Sequence, residues 1–125
     1  MSLEKLFLVL GSANAALAVV LGAFGAHRLK MQLTDQMLNI FQTAVQYHFF
    51  HALGLIAVGL ITTQFSPSIW FKWSGWLMFL GILLFSGSLY ILSISNIKWL
   101  GAVTPFGGTA FILAWVILII GIIEI

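Results

Sequence analysis

Four apolar stretches, each about as long as a bilayer is thick, take up nearly all of this 125-residue chain. A hydrocarbon core about 30 Å across is crossed by roughly 20 helical residues. The stretches at about 5–27, 44–64, 70–94 and 105–124 reach that length. Lipid offers no hydrogen bonds, so each stretch must close its backbone bonds within a helix or join a closed barrel. Barrel strands would alternate polar and apolar residues, whereas these stretches are evenly apolar and rich in glycine, as membrane helices are. The expected fold is all-α: an integral membrane four-helix bundle of up-down topology, forming a single transmembrane domain over residues 1–125.

The charge content supports lipid as the solvent. Only 6% of residues are charged, against about 25% in a soluble domain that must clothe itself for water. The mean hydropathy is +1.14. The net charge is +2, but its five basic residues are spread along the chain. No basic patch exists to neutralise a row of phosphates, so nucleic acid is not an expected partner. With no cysteine, disulfides, thiolate metal sites and cysteine nucleophiles are excluded.

The borders of the stretches carry their own markers. Ser66-Pro67-Ser68 breaks the chain after the second span, and Trp70, Trp73 and Trp76 open the third at headgroup level. Lys98 and Trp99 precede the fourth span, where Thr104 is placed to cap the helix with Pro105 at its first position. Residues 36–46 are amphipathic. Met37, Leu38, Ile40, Phe41, Ala44 and Val45 share one arc of a helical wheel, opposite Gln36, Asn39, Gln42, Thr43 and Gln46. This segment either lies along the interface or extends the second span beyond the bilayer. The first span exceeds a signal peptide's usual apolar region of about 7–15 residues, so it reads as a retained helix, with cleavage near Ala23-Phe24-Gly25 as the alternative. Arg28, Lys30 and Lys98 fall on one face, Lys5 and Lys72 on the other, which leans towards a cytoplasmic face for the former.

Small residues set the expected packing. Gly11, Ala15, Ala18, Gly22 and Gly25 form one stripe in the first span; Gly107, Ala110, Ala114 and Gly121 form another in the fourth, beside Gly108. Such stripes let helix backbones approach closely, which is how membrane helices gain packing energy. The first span is small nearly all round and is expected at the bundle centre. An outward stripe would also suit a homo-oligomer or another membrane protein partner. Asn14, mid-membrane, is expected to make an interhelical hydrogen bond or to line a pathway.

The three histidines, His27, His48 and His51, are expected near one membrane surface, together with Thr104-Pro105-Phe106-Gly107-Gly108. His48 and His51 stand three residues apart, close enough on a helix to share one ion or one water. The candidate ligand or proton site comprises His27, His48 and His51 with Asn14, Gln46 and Thr104. Three imidazoles would suit zinc or copper, making a metal ion the one cofactor such a cluster could hold. A histidine's unperturbed pKa of about 6.5 would equally suit proton coupling. The plainer reading has the rings packing at the interface with their polar tips among headgroups. Gly107-Gly108 at a helix start could cradle an anion, or simply pack. No phosphate loop, nucleophile elbow, HExxH or carboxylate pair is present, so the chain is not expected to be an enzyme.

In order, Gly22-Ala23-Phe24-Gly25-Ala26-His27, Tyr47-His48-Phe49-Phe50-His51-Ala52-Leu53 and Thr104-Pro105-Phe106-Gly107-Gly108-Thr109 resemble a known family. The chain looks like the domain-of-unknown-function 423 family, also called UPF0382, of small bacterial membrane proteins. Transmembrane-protein-256-like proteins are similar to it. The resemblance runs over nearly the whole chain and implies a four-helix protein in a bacterial cell membrane. It matches the family's histidines to His27, His48 and His51, and its glycine pair to Gly107 and Gly108, and brings no reaction, cofactor or substrate. Two functions remain open: a structural or accessory membrane subunit, and a protein that binds or moves a small ligand, proton or metal ion.

Overall fold

The computed structural model describes residues 1–125. Four helices are long and apolar enough to cross a membrane: α1 (Leu3–Leu29), α2 (Asp35–Gln64), α3 (Ile69–Ser95) and α4 (Thr104–Ile123). A 3₁₀ segment, Lys98–Ala102, precedes α4. Local chemistry explains the ends. Ser2, Thr34 and Ser68 have extended backbones, and their hydroxyls accept from the amides of Lys5, Met37 and Trp70 at the starts of α1, α2 and α3. Asn96 ends α3 in the left-handed conformation (φ 59°), its amide donating to the Leu92 carbonyl at 2.8 Å. Thr104 does not cap α4 as expected. Its hydroxyl meets Ser88 Oγ at 2.7 Å and so ties the start of α4 to α3, while Pro105 occupies the first turn.

The amphipathic stretch is a straight continuation of α2 and does not lie flat on the surface. Its polar arc (Gln36, Asn39, Gln42, Thr43 and Gln46) is exposed, while Phe41 and Ala44 are fully buried. Successive helices are antiparallel neighbours. The most extensive contacts are α1 with α2 and α3 with α4, and α2 also packs along α3.

The centre is α2, not α1. Small side chains surround α1 but bury little area, and only one of its faces meets a neighbour. Gly11 presses its backbone on Ala52 and Ile56, and Gly22 and Gly25 lie against Val45 and Phe41. Ser12, Ala13, Ala16 and Ala23 on the far side are exposed. α1 reaches α3 through Phe7, whose fully buried ring fills the space above Gly75 and meets Trp76 edge-on, with centroids 5.5 Å apart. Phe7 joins Leu55, Phe71, Met78 and Phe111 in the main core.

Both α1 and α3 contain one π-helical turn, at Leu21–Gly25 and Ile82–Ser86. The second is met by Gly107 of α4, where an added Cβ would run into the backbone of Leu84 and Phe85. The two backbones touch there. Gly107→Ala is therefore expected to lower stability by about 2 kcal/mol, whereas Gly101→Ala, with nothing within 4 Å of the new carbon, should be neutral within about 0.5 kcal/mol. Reversible unfolding in mixed detergent micelles measures both.

Candidate functional site

The two histidines of α2 are both buried, and neither lies at the surface of the bundle. Thr104 at the start of α4 bonds Ser88, and Ser86 Oγ donates to the Ala44 carbonyl at 2.8 Å. The lipid-spanning thickness thus begins near residue 43 of α2 and runs about 20 residues, or about 30 Å, to Gln64. His48 and His51 then sit about 7 and 12 Å inside it.

His48 links three helices. Its Nε2 lies 2.9 Å from Asn14 Oδ1 of α1, and its Nδ1 lies 2.9 Å from the Tyr90 hydroxyl of α3. The Asn14 amide nitrogen donates to the Leu10 carbonyl at 2.8 Å, which leaves Oδ1 as the acceptor. The directions follow. Tyr90 O–H donates to Nδ1, and Nε2–H donates to Asn14, so a neutral imidazole protonated on Nε2 satisfies every group.

His51 is wired the opposite way. Its Nδ1 lies 2.7 Å from the Tyr47 carbonyl, which only accepts, and Trp115 Nε1–H of α4 donates to its Nε2 at 3.1 Å. Neutral imidazole protonated on Nδ1 is the form that fits. Its ring stacks on Phe111 with centroids 3.5 Å apart and planes at 12°. An additional proton on Nε2 would face the indole donor and expel it.

The expected cluster of three does not form. His27 is exposed. With Gly25 beside Phe41, it lies about 13 Å along the bundle axis from His48, out at headgroup level. His48 and His51 turn to different partners. No three His, Asp or Glu side chains converge to hold a metal ion, and binding one at either buried histidine would require breaking the bonds just described. The Asn14 bond expected between helices is the one to His48. Gln46 is exposed on the α1 side of α2, and Thr104 belongs to the α3–α4 contact.

Tyr90 and Trp115 were not among the residues singled out from the sequence. Trp115 carried a signal, since an indole in the middle of an apolar span is not a headgroup-level belt residue and its N–H needs a partner. Tyr90 carried less: the wide turn before it rotates it by about 100° relative to an unbroken helix, so helical periodicity does not place it opposite His48.

Fold and polar core together define a small four-helix integral membrane protein, stitched internally by neutral side chains. The chain belongs to the DUF423 family: residues 21–108 match the profile described as "Protein of unknown function (DUF423)". It is 50% identical over 120 residues to the UPF0382 membrane protein YwdK of Bacillus subtilis, covering 96% of this chain and 98% of that one. It is 47% identical over 121 residues to a UPF0382 membrane protein of Staphylococcus saprophyticus, covering 97% and 99%. A Staphylococcus aureus UPF0382 membrane protein is 49% identical over 116 residues, 93% of each chain. No solved structure matches. The lipid bilayer of a bacterial membrane is its environment.

Removing either end breaks the α1–α2 link, and removing His48 breaks the bond to α3 as well. Asn14→Ala is expected to lower stability by about 1 kcal/mol and His48→Ala, which also loses the Tyr90 bond, by about 2 kcal/mol, with the double variant lowered by little more than His48→Ala alone. Unfolding free energies measured by steric trapping in bicelles test this; additive losses would show that the pair does not interact.

Proposed function

We propose that this protein is a structural or accessory component of its membrane, with no catalytic activity of its own. One observation carries the reading. All four ring nitrogens of the two buried histidines are committed to partners inside the bundle, each in a neutral form that leaves no lone pair or proton for a passenger. A transporter usually keeps a charged or exchangeable group near the membrane midplane, and here Glu4, Lys5, Arg28, Lys30, Asp35, Lys72, Lys98 and Glu124 all stand at helix ends or in connections. The test is flux. Proteoliposomes carrying the protein and a pH-sensitive dye should pass protons no faster than empty ones, with or without a zinc or copper gradient. A flux that disappears in His48→Ala would establish the ligand- or ion-moving alternative.

The accessory reading includes self-association. The far face of α1 offers Ser12, Ala13, Ala16 and Ala23 to the lipid, and beside it Gln46 is exposed just inside the apolar thickness. An amide both donates and accepts, so a second copy related by a two-fold axis presents the matching group at the same depth. A homodimer through the α1–α2 face is the expected state in nanodiscs, weakened in Gln46→Leu. Particles holding only a single 13.7 kDa chain would remove it.

A further inference from the structure

Beside the His51–Trp115 bond the bundle has an aromatic cleft. Between α2, α3 and α4 a cleft of about 380 Å³ opens sideways, lined by Tyr47, Phe85, Gly108, Phe111 and Trp115, with His51 at its wall. Its mouth lies within the lipid-spanning thickness. The lining carries no charge and is dominated by aromatic rings: Tyr47 and Phe85 have centroids 4.5 Å apart, and Phe85 and Phe111 5.5 Å.

Two observations set this cleft apart from a packing defect. The first is Tyr47. Its carbonyl serves His51, but its side chain is 40% exposed and its hydroxyl bonds to nothing in the chain. Tyr47 lines the cleft, so its hydroxyl is free to donate to a molecule held there. The second is Gly108. Its neighbour Gly107 is required by backbone contact with α3, but a Cβ on Gly108 would meet nothing nearer than Phe85 at 3.8 Å. Helix packing does not need that glycine, and its missing side chain leaves the cleft open.

We infer that this cleft is a binding site for a flat, uncharged, lipid-dissolved ring bearing an oxygen that accepts a hydrogen bond from Tyr47, the quinone class being the simplest example. The ring lies among aromatic faces that favour stacking, and the volume holds a ring system with its tail left in the bilayer. Entry is lateral, from lipid, since the lining offers nothing for a charged or strongly hydrated molecule. The His51–Trp115 bond forms part of the wall and stays closed on binding.

The test uses fluorotryptophan-labelled protein in nanodiscs, with the naphthoquinone menadione as probe. The chain has five tryptophans, and Trp115→Phe assigns the resonance that matters. Expected is a saturable shift of the Trp115 fluorine signal with the other four unmoved. Gly108→Val should weaken binding about tenfold or more by filling the cleft, and Tyr47→Phe about fivefold by removing the donor. The unmoved tryptophans report whether Gly108→Val keeps its fold; if it does not, Gly108→Ala gives the smaller reduction expected of a single methyl group. A shift that rises linearly with probe in the lipid, or is unchanged by filling the cleft, overturns the site. Equal affinity for methylnaphthalene, which lacks the oxygen, overturns the assignment of ligand class.

Discussion

Two imidazoles one turn apart on α2 hold this bundle in register. Through His48 the central helix is bonded to Asn14 of α1 and Tyr90 of α3; through His51 it is bonded to Trp115 of α4. In water such bonds would compete with solvent and fix little. Inside a bilayer the hydrophobic effect does not draw helices together, so the few directional bonds between them carry the specificity of their arrangement. Each bond is worth about 1 kcal/mol, yet each also forbids slippage, because moving a helix by one residue would strand a buried donor or acceptor. No buried side-chain nitrogen or oxygen in the chain lacks a partner.

Close backbone approach makes these bonds reachable. Gly11 brings α1 onto Ala52 and Ile56, one turn beyond His51, and at that separation the short Asn14 side chain reaches His48. On the other side the wide turn of α3 places Ser86 against the Ala44 carbonyl and sets Phe85 against Gly107. Ser74 likewise donates to the Ala114 carbonyl at 2.8 Å, fastening the other half of the α3–α4 pair. Small residues and hydroxyls thus act together: the first remove side-chain bulk, and the second fill the remaining gap with a bond to a helix carbonyl.

The four spans were legible in the sequence because length and hydropathy are properties of each stretch alone. The amphipathic arc of residues 36–46 was legible too, since its period is local. The central helix was not. Small residues all round α1 suggested the middle of the bundle, but a helix without bulk buries little, and the middle went to the helix with a large polar-tipped side chain to share with each neighbour. The candidate site was half legible. His48, His51 and Asn14 stood out as polar groups in apolar runs, whereas their meeting with Tyr90 and Trp115 depends on the π turn of α3 and on helix rotation, which no local pattern encodes. His27 looked equivalent to the other two by residue type, but depth separates it: α2 begins nine residues before residue 44, where the apolar run starts, and this carries His48 inward from the level at which α1 ends.

The arrangement requires two neutral histidines in opposite tautomers, one turn apart on a single helix. Nitrogen NMR of histidine-labelled protein in lipid at neutral pH reads this directly. Expected are an Nε2-protonated ring for His48 and an Nδ1-protonated ring for His51, each with one pyrrole-like and one pyridine-like nitrogen and with His27 distinct from both. Imidazolium signals from either buried ring, or the same tautomer at both positions, would contradict the hydrogen-bond pattern on which the bundle rests.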